Sequence, residues 1–349
     1  MAENALEPLI ASLLVASGNS DGAFKLDPLS AGGNNRVYAV QNKHQRFLAK
    51  HYYHDGSDTR DRLGAEYAFL EHAWRIGLKN IPRPYACNTT AHLALYEFVE
   101  GEKLVAADIT AQRVLEAARF FALLNSAQSR ARATALPLAS EACFSVTEQV
   151  EMIDGRIGRL DRIEPAGDVN REAVEFTQEL KSLWQAAKRG LFGACKDIGL
   201  DAEELLPVAN RCLSPSDFGF HNALRRADGS LCFIDFEYAG WDDPAKAVGD
   251  FFSHPGMPVS KEYLESFLAV AMTPFENPQA SSTRARLLEP LFRFKWCCII
   301  LNEFLPASAS RRRFADPEAD STQRKAGQLY KARTLFNTLQ NREQSLWLT

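Results

Sequence analysis

The chain has 349 residues, of which 46% are hydrophobic and 24% charged, and its formal net charge is −4. This length is long for one compact core and predicts about two subdomains. A nearly neutral chain offers no electrostatic argument for nucleic acid or an anionic membrane as the partner. No apolar run approaches the roughly 20 residues needed to span a bilayer. We therefore expect a globular protein whose partner is a small molecule.

The cysteines and the first residues indicate the compartment. The seven cysteines are odd in number and contain no Cys-x-x-Cys pair, which favours reduced thiols over a disulfide framework. Glu3 and Glu7 stand where a secretory signal would carry basic residues, and no cleavage-site pattern follows. The sequence therefore predicts a cytoplasmic protein, with the adjacent Cys297 and Cys298 as core residues.

The N-terminal part of the chain is predicted to be rich in strands. Residues 5–16 show leucine and isoleucine at helical spacing, which predicts an amphipathic helix. A second helix is predicted from about 59 to 76. Around it lie short segments rich in β-forming residues, between residues 24 and 99. These segments are FKLDPLS, RVYAVQN, RFLAKHYY, RPYACNT and LALYEFV.

After Gly101 the pattern becomes mostly helical, with a β-hairpin predicted at 222–236. An α+β fold follows, in which a sheet-rich N-terminal part precedes a larger helical part. A cleft between two such parts is a common place for a ligand. The long helices are predicted at about 109–128, 145–162, 171–196, 261–272, 282–304 and 321–343.

The predicted hairpin carries three oxygen-bearing side chains. Asp228-Gly229 is typical of a two-residue turn, and in that register Asn222 faces Asp235 with Cβ atoms about 5 Å apart. Such a pair suits Mg²⁺, which takes one or two carboxylates and fills its shell with water and phosphate. Asp217 precedes the hairpin and could orient a substrate hydroxyl near the same point. The alternative is ordinary turn chemistry.

Two features of the N-terminal part point to phosphate. Lys50 lies within a predicted strand, and Glu66 lies beside the apolar stripe of the next helix, where an acid needs a partner. A pair between them would direct Lys50 toward phosphates. Gly32, Gly33 and Asn34 form a second feature, here called the glycine turn, whose backbone N–H groups could approach a phosphate. The alternatives are an ordinary lysine and glutamate, and a plain hairpin.

Together these residues resemble the aminoglycoside phosphotransferase and choline kinase-like family, the small-molecule relatives of protein kinases, over about residues 24–255. The ordered set Asp217, Asn222 and Asp235, with Lys50 and Glu66 upstream, carries the resemblance. It implies a bilobal protein kinase-like fold. The implied N-terminal lobe, residues 1–99, would bind nucleotide. The implied helical C-terminal lobe, residues 100–349, would carry the catalytic loop and the acceptor site.

The resemblance also implies roles for the site residues. Asp217 would be the catalytic base or the carboxylate that orients the acceptor hydroxyl. Asn222 and Asp235 would hold Mg²⁺. Lys50 would bind the α- and β-phosphates of ATP, steadied by Glu66, and the glycine turn would cover the phosphates.

The segment YEFVEG resembles the hinge of the family, and the resemblance implies that it meets the adenine edge through the Glu97 carbonyl and the Val99 N–H on either side of Phe98. One departure stands out. The family usually has histidine two residues before the catalytic aspartate, and Pro215 stands there in this chain. Asp235-Phe236 is also followed by Glu237 rather than glycine.

The activity expected is an ATP- and Mg²⁺-dependent phosphotransferase acting on a hydroxyl of a small polar metabolite, such as a sugar, an amino alcohol or an aminoglycoside-like compound. Two alternatives remain open. Pro215 and the sparse glycine turn motivate a catalytically silent, nucleotide-binding pseudokinase. A metal-dependent phosphohydrolase could use the same acids but would need neither Lys50 nor Glu66.

Overall fold

The computed structural model describes residues 3–20, 22–29, 35–54, 60–306 and 321–340. Its N-terminal strands coincide with the segments predicted as strands, so those predictions are confirmed. The strands are β1 (Lys25–Leu29), β2 (Asn35–Gln41), β3 (Arg46–Tyr52), β4 (Pro84–Asn88) and β5 (Leu93–Glu97). They form one antiparallel sheet in the order β1-β2-β3-β5-β4.

Each face of this sheet packs against a helix. Successive side chains of β3 alternate between the faces, as strand geometry requires. Phe47 and Ala49 lie in the apolar cluster with the first helix, α1 (Glu3–Ala16). Lys50 lies on the opposite face, toward the second helix, α2 (Arg62–Arg75). The alternation thus carries a buried lysine to the side of the sheet that faces the rest of the chain.

The rest of the described chain is mostly helical, and its helices share one large apolar core with α2. The predicted helix at 109–128 is divided, because Asn125 ends its first part and Ser126 caps its second. None of the helices in the described ranges is long and apolar enough to cross a bilayer. The helices are α3 (Ala111–Leu124), α4 (Ala127–Arg132), α5 (Val146–Arg159), α6 (Asp168–Asp197), α7 (Pro244–Ser253), α8 (Leu264–Ala271), α9 (Pro278–Leu301) and α10 (Ser321–Gln340).

Helix α7 was not predicted from the sequence. All of its residues are buried. Ala245, Val248 and Phe252 do recur at helical spacing, but the segment has only ten residues and is shorter than the helices that were predicted. A second signal is local. The Asp243 side chain accepts a hydrogen bond from the Ala245 N–H at 2.7 Å, and Pro244 occupies the first helical position. Such a cap followed by proline is typical of a helix start.

Gly249 makes the close packing of α7 against α9 possible. A Cβ atom placed there would overlap the ring of Phe292 in α9, which is itself buried. We therefore expect Gly249→Ala to lower the free energy of unfolding by about 1–3 kcal/mol, as overpacking does. Gly193→Ala is the control, since Gly193 lies within α6 with no atom near its missing Cβ. Chemical denaturation should find the control equal to or more stable than the wild type.

Short strands complete the fold around the predicted hairpin. Strand β7 (Cys212–Ser214) pairs with β10 (Gly240–Asp242), and β6 (Glu102–Lys103) pairs with the first strand of the hairpin. The hairpin itself consists of β8 (Ala223–Arg225) and β9 (Leu231–Phe233). The loop that carries Asp217 therefore leaves a strand held in one small sheet and enters a strand held in another.

The hairpin is confirmed, but the predicted register is wrong by one residue. Leu224 pairs with Cys232, and the Ile234 N–H donates to the Asn222 carbonyl at 2.9 Å. Asn222 therefore faces Ile234, and Asp235 follows one residue later. The cause is the length of the turn. The loop has three residues and ends at Gly229, whose φ of 84° is left-handed. The Arg226 N–H donates to the Ser230 carbonyl, and the Gly229 N–H donates to the Arg226 carbonyl. Three-residue loops with a left-handed glycine are common in hairpins.

Candidate active site

Asp217 lies in the loop after β7, on a backbone that turns sharply. The preceding residue, Ser216, has φ 66°, in the left-handed region that costs a non-glycine residue free energy and is often found at functional sites. The Asn222 amide donates to the Asp217 carbonyl at 3.0 Å and to its Oδ2 at 3.2 Å. The two residues that the sequence placed five apart are therefore in direct contact.

Two stacked imidazoles hold the Asp217 carboxylate from the other side. The Nε2 atoms of His221 and His254 lie 3.1 and 3.5 Å from Asp217 Oδ1, and their ring centroids are 3.4 Å apart. His254 Nδ1 accepts the Gly256 N–H at 3.0 Å, so in the neutral ring the proton is on Nε2, facing Asp217. Sequence analysis missed both histidines, because their contact depends on α7 and the loop that follows it.

The electrostatics keep Asp217 ionised. Burial opposes ionisation, but the hydrogen bond from His221 and the electrostatic attraction of the neighbouring His221, His254 and Lys295 side chains hold the pKa of Asp217 below its usual value. Burial, and then the neighbouring His221, lower the pKa of His254 to about 3. A neutral His254 thus presents an N–H to an ionised carboxylate. Such a carboxylate can accept a hydrogen bond from a substrate hydroxyl.

Lys50 lies at the centre of a second group, made of carboxylates. Its Nζ is 2.7 Å from Glu66 Oε2, 2.5 Å from Asp235 Oδ1 and 3.9 Å from Glu237 Oε2. Burial lowers the pKa of Lys50, but Asp235, Glu66 and Glu237 together raise it well above its usual value. The pair expected between Lys50 and Glu66 forms, and it also reaches Asp235.

Glu66 is itself held in place by hydrogen bonds. The Tyr52 hydroxyl donates to Glu66 Oε2 at 2.6 Å, and the Phe236 N–H donates to Oε1 at 3.2 Å. Tyr52 also meets the Tyr96 hydroxyl at 2.7 Å. Sequence analysis missed Tyr52. The available signal was its position two residues after Lys50, which places both side chains on one face of the strand.

Glu237 is a further residue whose role sequence analysis missed. It is 4% exposed and accepts a hydrogen bond from the Asn35 amide at 2.6 Å. The sequence showed only that glutamate stands where protein kinases have glycine. The structure places this glutamate beside the Lys50 cluster, so the carboxylates around the lysine outnumber its single charge.

This excess of carboxylates fits a divalent cation. Desolvation by the surrounding residues raises the pKa of Asp235 to about 6, with Glu66 and Glu237 acting in the same direction and Lys50 opposing them. The Asp235 side chain is 40% exposed, so it is open to a ligand. The Asn222 amide nitrogen is bonded to Asp217, which leaves the amide oxygen as the end available to a cation. Oxygen donors of this kind are those that Mg²⁺ prefers.

The predicted hinge residues lie where the sheet ends. Glu97 is the last residue of β5, and its N–H donates to the Arg83 carbonyl at 2.8 Å. The Arg46 guanidinium covers the Phe98 ring at 3.7 Å, and Val99 lies in the half-buried segment that leads to β6. The glycine turn of Gly32, Gly33 and Asn34 lies outside the described residues.

A cavity of about 520 Å³ opens beside Asp217. Its wall contains Lys295 of α9, whose Nζ lies 2.7 Å from each oxygen of Asp250. The cavity is the space in which an acceptor could approach Asp217. Its other lining residues include Arg60, Glu141, Arg156, Arg159, Tyr238 and Trp296.

The fold is shared with solved kinase structures of low sequence identity. A spectinomycin phosphotransferase in complex with ADP and spectinomycin matches with a TM-score of 0.60 and 12% identity, over 96% of this chain and 98% of that one. A choline/ethanolamine kinase family protein from Mesorhizobium loti matches with a TM-score of 0.56 and 17% identity, over 95% and 94%. An amicoumacin kinase in complex with AMP-PNP and Ca²⁺ matches with 0.55 and 13%, over 93% and 99%.

The likeness to these structures confirms the bilobal α+β fold of the kinase-like type. A search of curated protein sequences finds no match for this chain. The profile of the phosphotransferase enzyme family, however, matches residues 25–278, which is more than half of the chain and spans both Lys50 and Asp217. The chain therefore belongs to the phosphotransferase enzyme family, as its motifs predicted.

Proposed function

We propose that this protein is a small-molecule kinase that moves the γ-phosphate of ATP to a hydroxyl group of a small polar acceptor, with Mg²⁺ as the cation. The observation that carries the proposal is the pair of neighbouring groups described above. One is an ionised Asp217 at the mouth of a cavity. The other is a lysine among carboxylates, with Asp235 open to a cation.

In this proposal the acceptor hydroxyl lies in the cavity and donates a hydrogen bond to Asp217. His221 and His254 keep the carboxylate ionised and fix its direction. Asn222 and Asp235 would hold Mg²⁺, which neutralises charge on the phosphates when it is bound. Most of the rate would then come from positioning and charge neutralisation rather than from covalent chemistry.

On the nucleotide side, Lys50 would contact the phosphates from its fixed position between Glu66 and Asp235. The glycine turn would cover them. Glu97, Phe98 and Val99 would form the hinge that meets the adenine edge, at the boundary between an N-terminal lobe of residues 1–99 and a C-terminal lobe of residues 100–349. ADP and AMP-PNP in the solved neighbours support ATP as the donor.

The unpaired thiols agree with the proposed cytoplasmic location, since all seven cysteines are free. Among the alternatives from the sequence, the silent pseudokinase receives no support, because the matching family and the neighbours are phosphotransferases and kinases. The contacts of Lys50 with Glu66 and Asp235 also favour a kinase over a phosphohydrolase, which would not require them.

ADP release from Mg–ATP across a panel of hydroxyl acceptors tests the proposal. The panel contains aminoglycosides, amino alcohols, sugars, nucleosides and hydroxy acids. We expect release that depends on both an acceptor and Mg²⁺. Release that water alone supports, at the same rate with every acceptor, would instead favour the phosphohydrolase.

A further inference from the structure

We propose that the acceptor carries an anionic group, a carboxylate or a phosphate, which the guanidinium groups of Arg156 and Arg159 bind while its hydroxyl lies at Asp217. This inference rests on the proposed function and names the class of its acceptor. It depends on which charges in the wall of the cavity already have partners and which remain for a ligand.

The carboxylates of the cavity wall either form ion pairs within the protein or belong to the proposed reaction centre. Glu141 forms an ion pair with Arg156, and Asp250 is bonded to Lys295 through both of its oxygens, at 2.7 Å each. The remaining carboxylate that lines the cavity within the described residues is Asp217, whose place is at the transferred group. A polycationic acceptor, such as an aminoglycoside, would therefore find no unpaired carboxylate for its ammonium groups in this part of the wall.

The aromatic rings of the wall are also unsuited to a cation. The Tyr238 ring already has the guanidinium carbons of Arg60 and Arg62 at 5.6 and 5.9 Å from its centre. The Trp296 ring has Lys295 Nζ at 5.7 Å. A quaternary ammonium group needs an open aromatic face and gains nothing next to a fixed positive charge. The wall therefore disfavours choline-like acceptors as well.

The cationic side chains of the wall, by contrast, outnumber its carboxylates and can bind a negatively charged ligand. Cationic residues in the described wall number four (Arg60, Arg156, Arg159 and Lys295) against the three carboxylates Glu141, Asp217 and Asp250, and His254 is neutral. The excess of positive charge is therefore one, before any acceptor enters.

Arg156 and Arg159 occupy one face of α5, three residues apart. The Arg156 side chain is only 10% exposed, and Glu141 occupies one of its terminal nitrogens. Its Nε–H is buried and has no hydrogen-bond partner. Arg159 is exposed to the cavity, and no carboxylate of the described chain lies within ion-pairing distance of it. Two neighbouring guanidinium groups with donors to spare match the paired oxygens of a carboxylate or phosphate.

The test uses acceptors that share one carbon skeleton and differ in charge: glycerate, glycerol phosphate, glycerol and aminopropanediol. Binding to the full-length protein with Mg–ADP is measured by calorimetry, and phosphate transfer from Mg–ATP is measured separately. We expect the two anions to bind and the neutral and cationic compounds to bind at least tenfold more weakly. Arg159→Gln should weaken anion binding about tenfold to a hundredfold, as expected for lost charge-assisted hydrogen bonds.

Matched variants separate this role from a general effect on charge. Arg162→Gln removes an exposed arginine just beyond α5 that does not line the cavity, and it should leave anion affinity unchanged. Arg159→Lys should keep part of the affinity, because it keeps the charge but loses the paired donors. The affinity for Mg–ATP should be the same in all three variants.

The inference and the proposed function fail in different ways. Strongest binding of glycerol or aminopropanediol, no binding of any of the four compounds, or anion binding indifferent to Arg159→Gln, would each overturn the anionic acceptor. A loss of ATP affinity in Arg159→Gln would also overturn the anionic acceptor, since Arg159 would then bind the nucleotide. Anion binding that depends on Arg159 with no phosphate transfer to any hydroxyl would leave the anion site standing and reject the kinase.

Discussion

Asp217→Asn is expected to lower acceptor-dependent ADP release about 10²–10⁴-fold, which is the range for loss of a general base. Asparagine has nearly the same size, and it keeps the backbone contact through which the Asn222 amide holds the loop. It lacks the negative charge that accepts the hydroxyl proton. The affinity for Mg–ATP should therefore change little while turnover falls.

The control for this variant is Asp197→Asn, an exposed aspartate at the end of α6 and outside the cavity. It should turn over like the wild type. Steady-state kinetics and nucleotide titration of both variants give the comparison. Full turnover by Asp217→Asn would remove Asp217 from the reaction. A loss of ATP affinity as large as the loss of turnover would indicate that the substitution damages the loop rather than the chemical step.

Lys50→Met should produce the second large effect, on stability and activity together. The variant leaves Glu66 buried without its cation, and breaking a buried ion pair in this way costs about 3–5 kcal/mol of unfolding free energy. The Asp235 side chain is 40% exposed, so water already screens its interaction with Lys50. We therefore expect Lys50→Met to lower the free energy of unfolding by about 3 kcal/mol, the lower end of this range. Loss of a donor to the phosphates should lower turnover about 10²–10³-fold.

A double variant separates the two effects of Lys50. Lys50→Met with Glu66→Gln also removes the buried charge of Glu66, although that of Glu237 remains, so chemical denaturation should show part of the stability restored while turnover stays low. Lys103→Met, in the exposed strand β6, is the control and should resemble the wild type in both measurements. Restored turnover in the double variant would show that Lys50 acts only on the fold.

Local patterns were sufficient for much of the fold. The five strands of the N-terminal sheet and the contact of Lys50 with Glu66 follow from alternation in a strand and from the apolar stripe of a helix. The spacing of Asp217 and Asn222 within one loop also translated directly into contact. In each of these cases the relevant partners are close in the chain or belong to a periodic element.

Features that depend on tertiary structure were not predictable in the same way. The stacked His221 and His254 meet only because α7 returns the chain to the loop of Asp217. Glu237 Oε2 lies 3.9 Å from Lys50 Nζ although the two residues are far apart in the chain, and nothing local in the sequence distinguishes Glu237 from other acids. The register of the hairpin failed for another reason. Asp228-Gly229 fits both a two-residue turn and the three-residue loop that forms, and only the packing of the strands decides between them.

The most direct test of the account follows the labelled γ-phosphate of ATP to the acceptor that the panel identifies. We expect the label to appear in an ester with the acceptor hydroxyl, in amounts equal to the ADP released, and we expect Asp217→Asn to abolish this transfer while still binding Mg–ATP. Label recovered as free phosphate, at a rate independent of the acceptor, would contradict phosphoryl transfer to a hydroxyl and with it the proposed function.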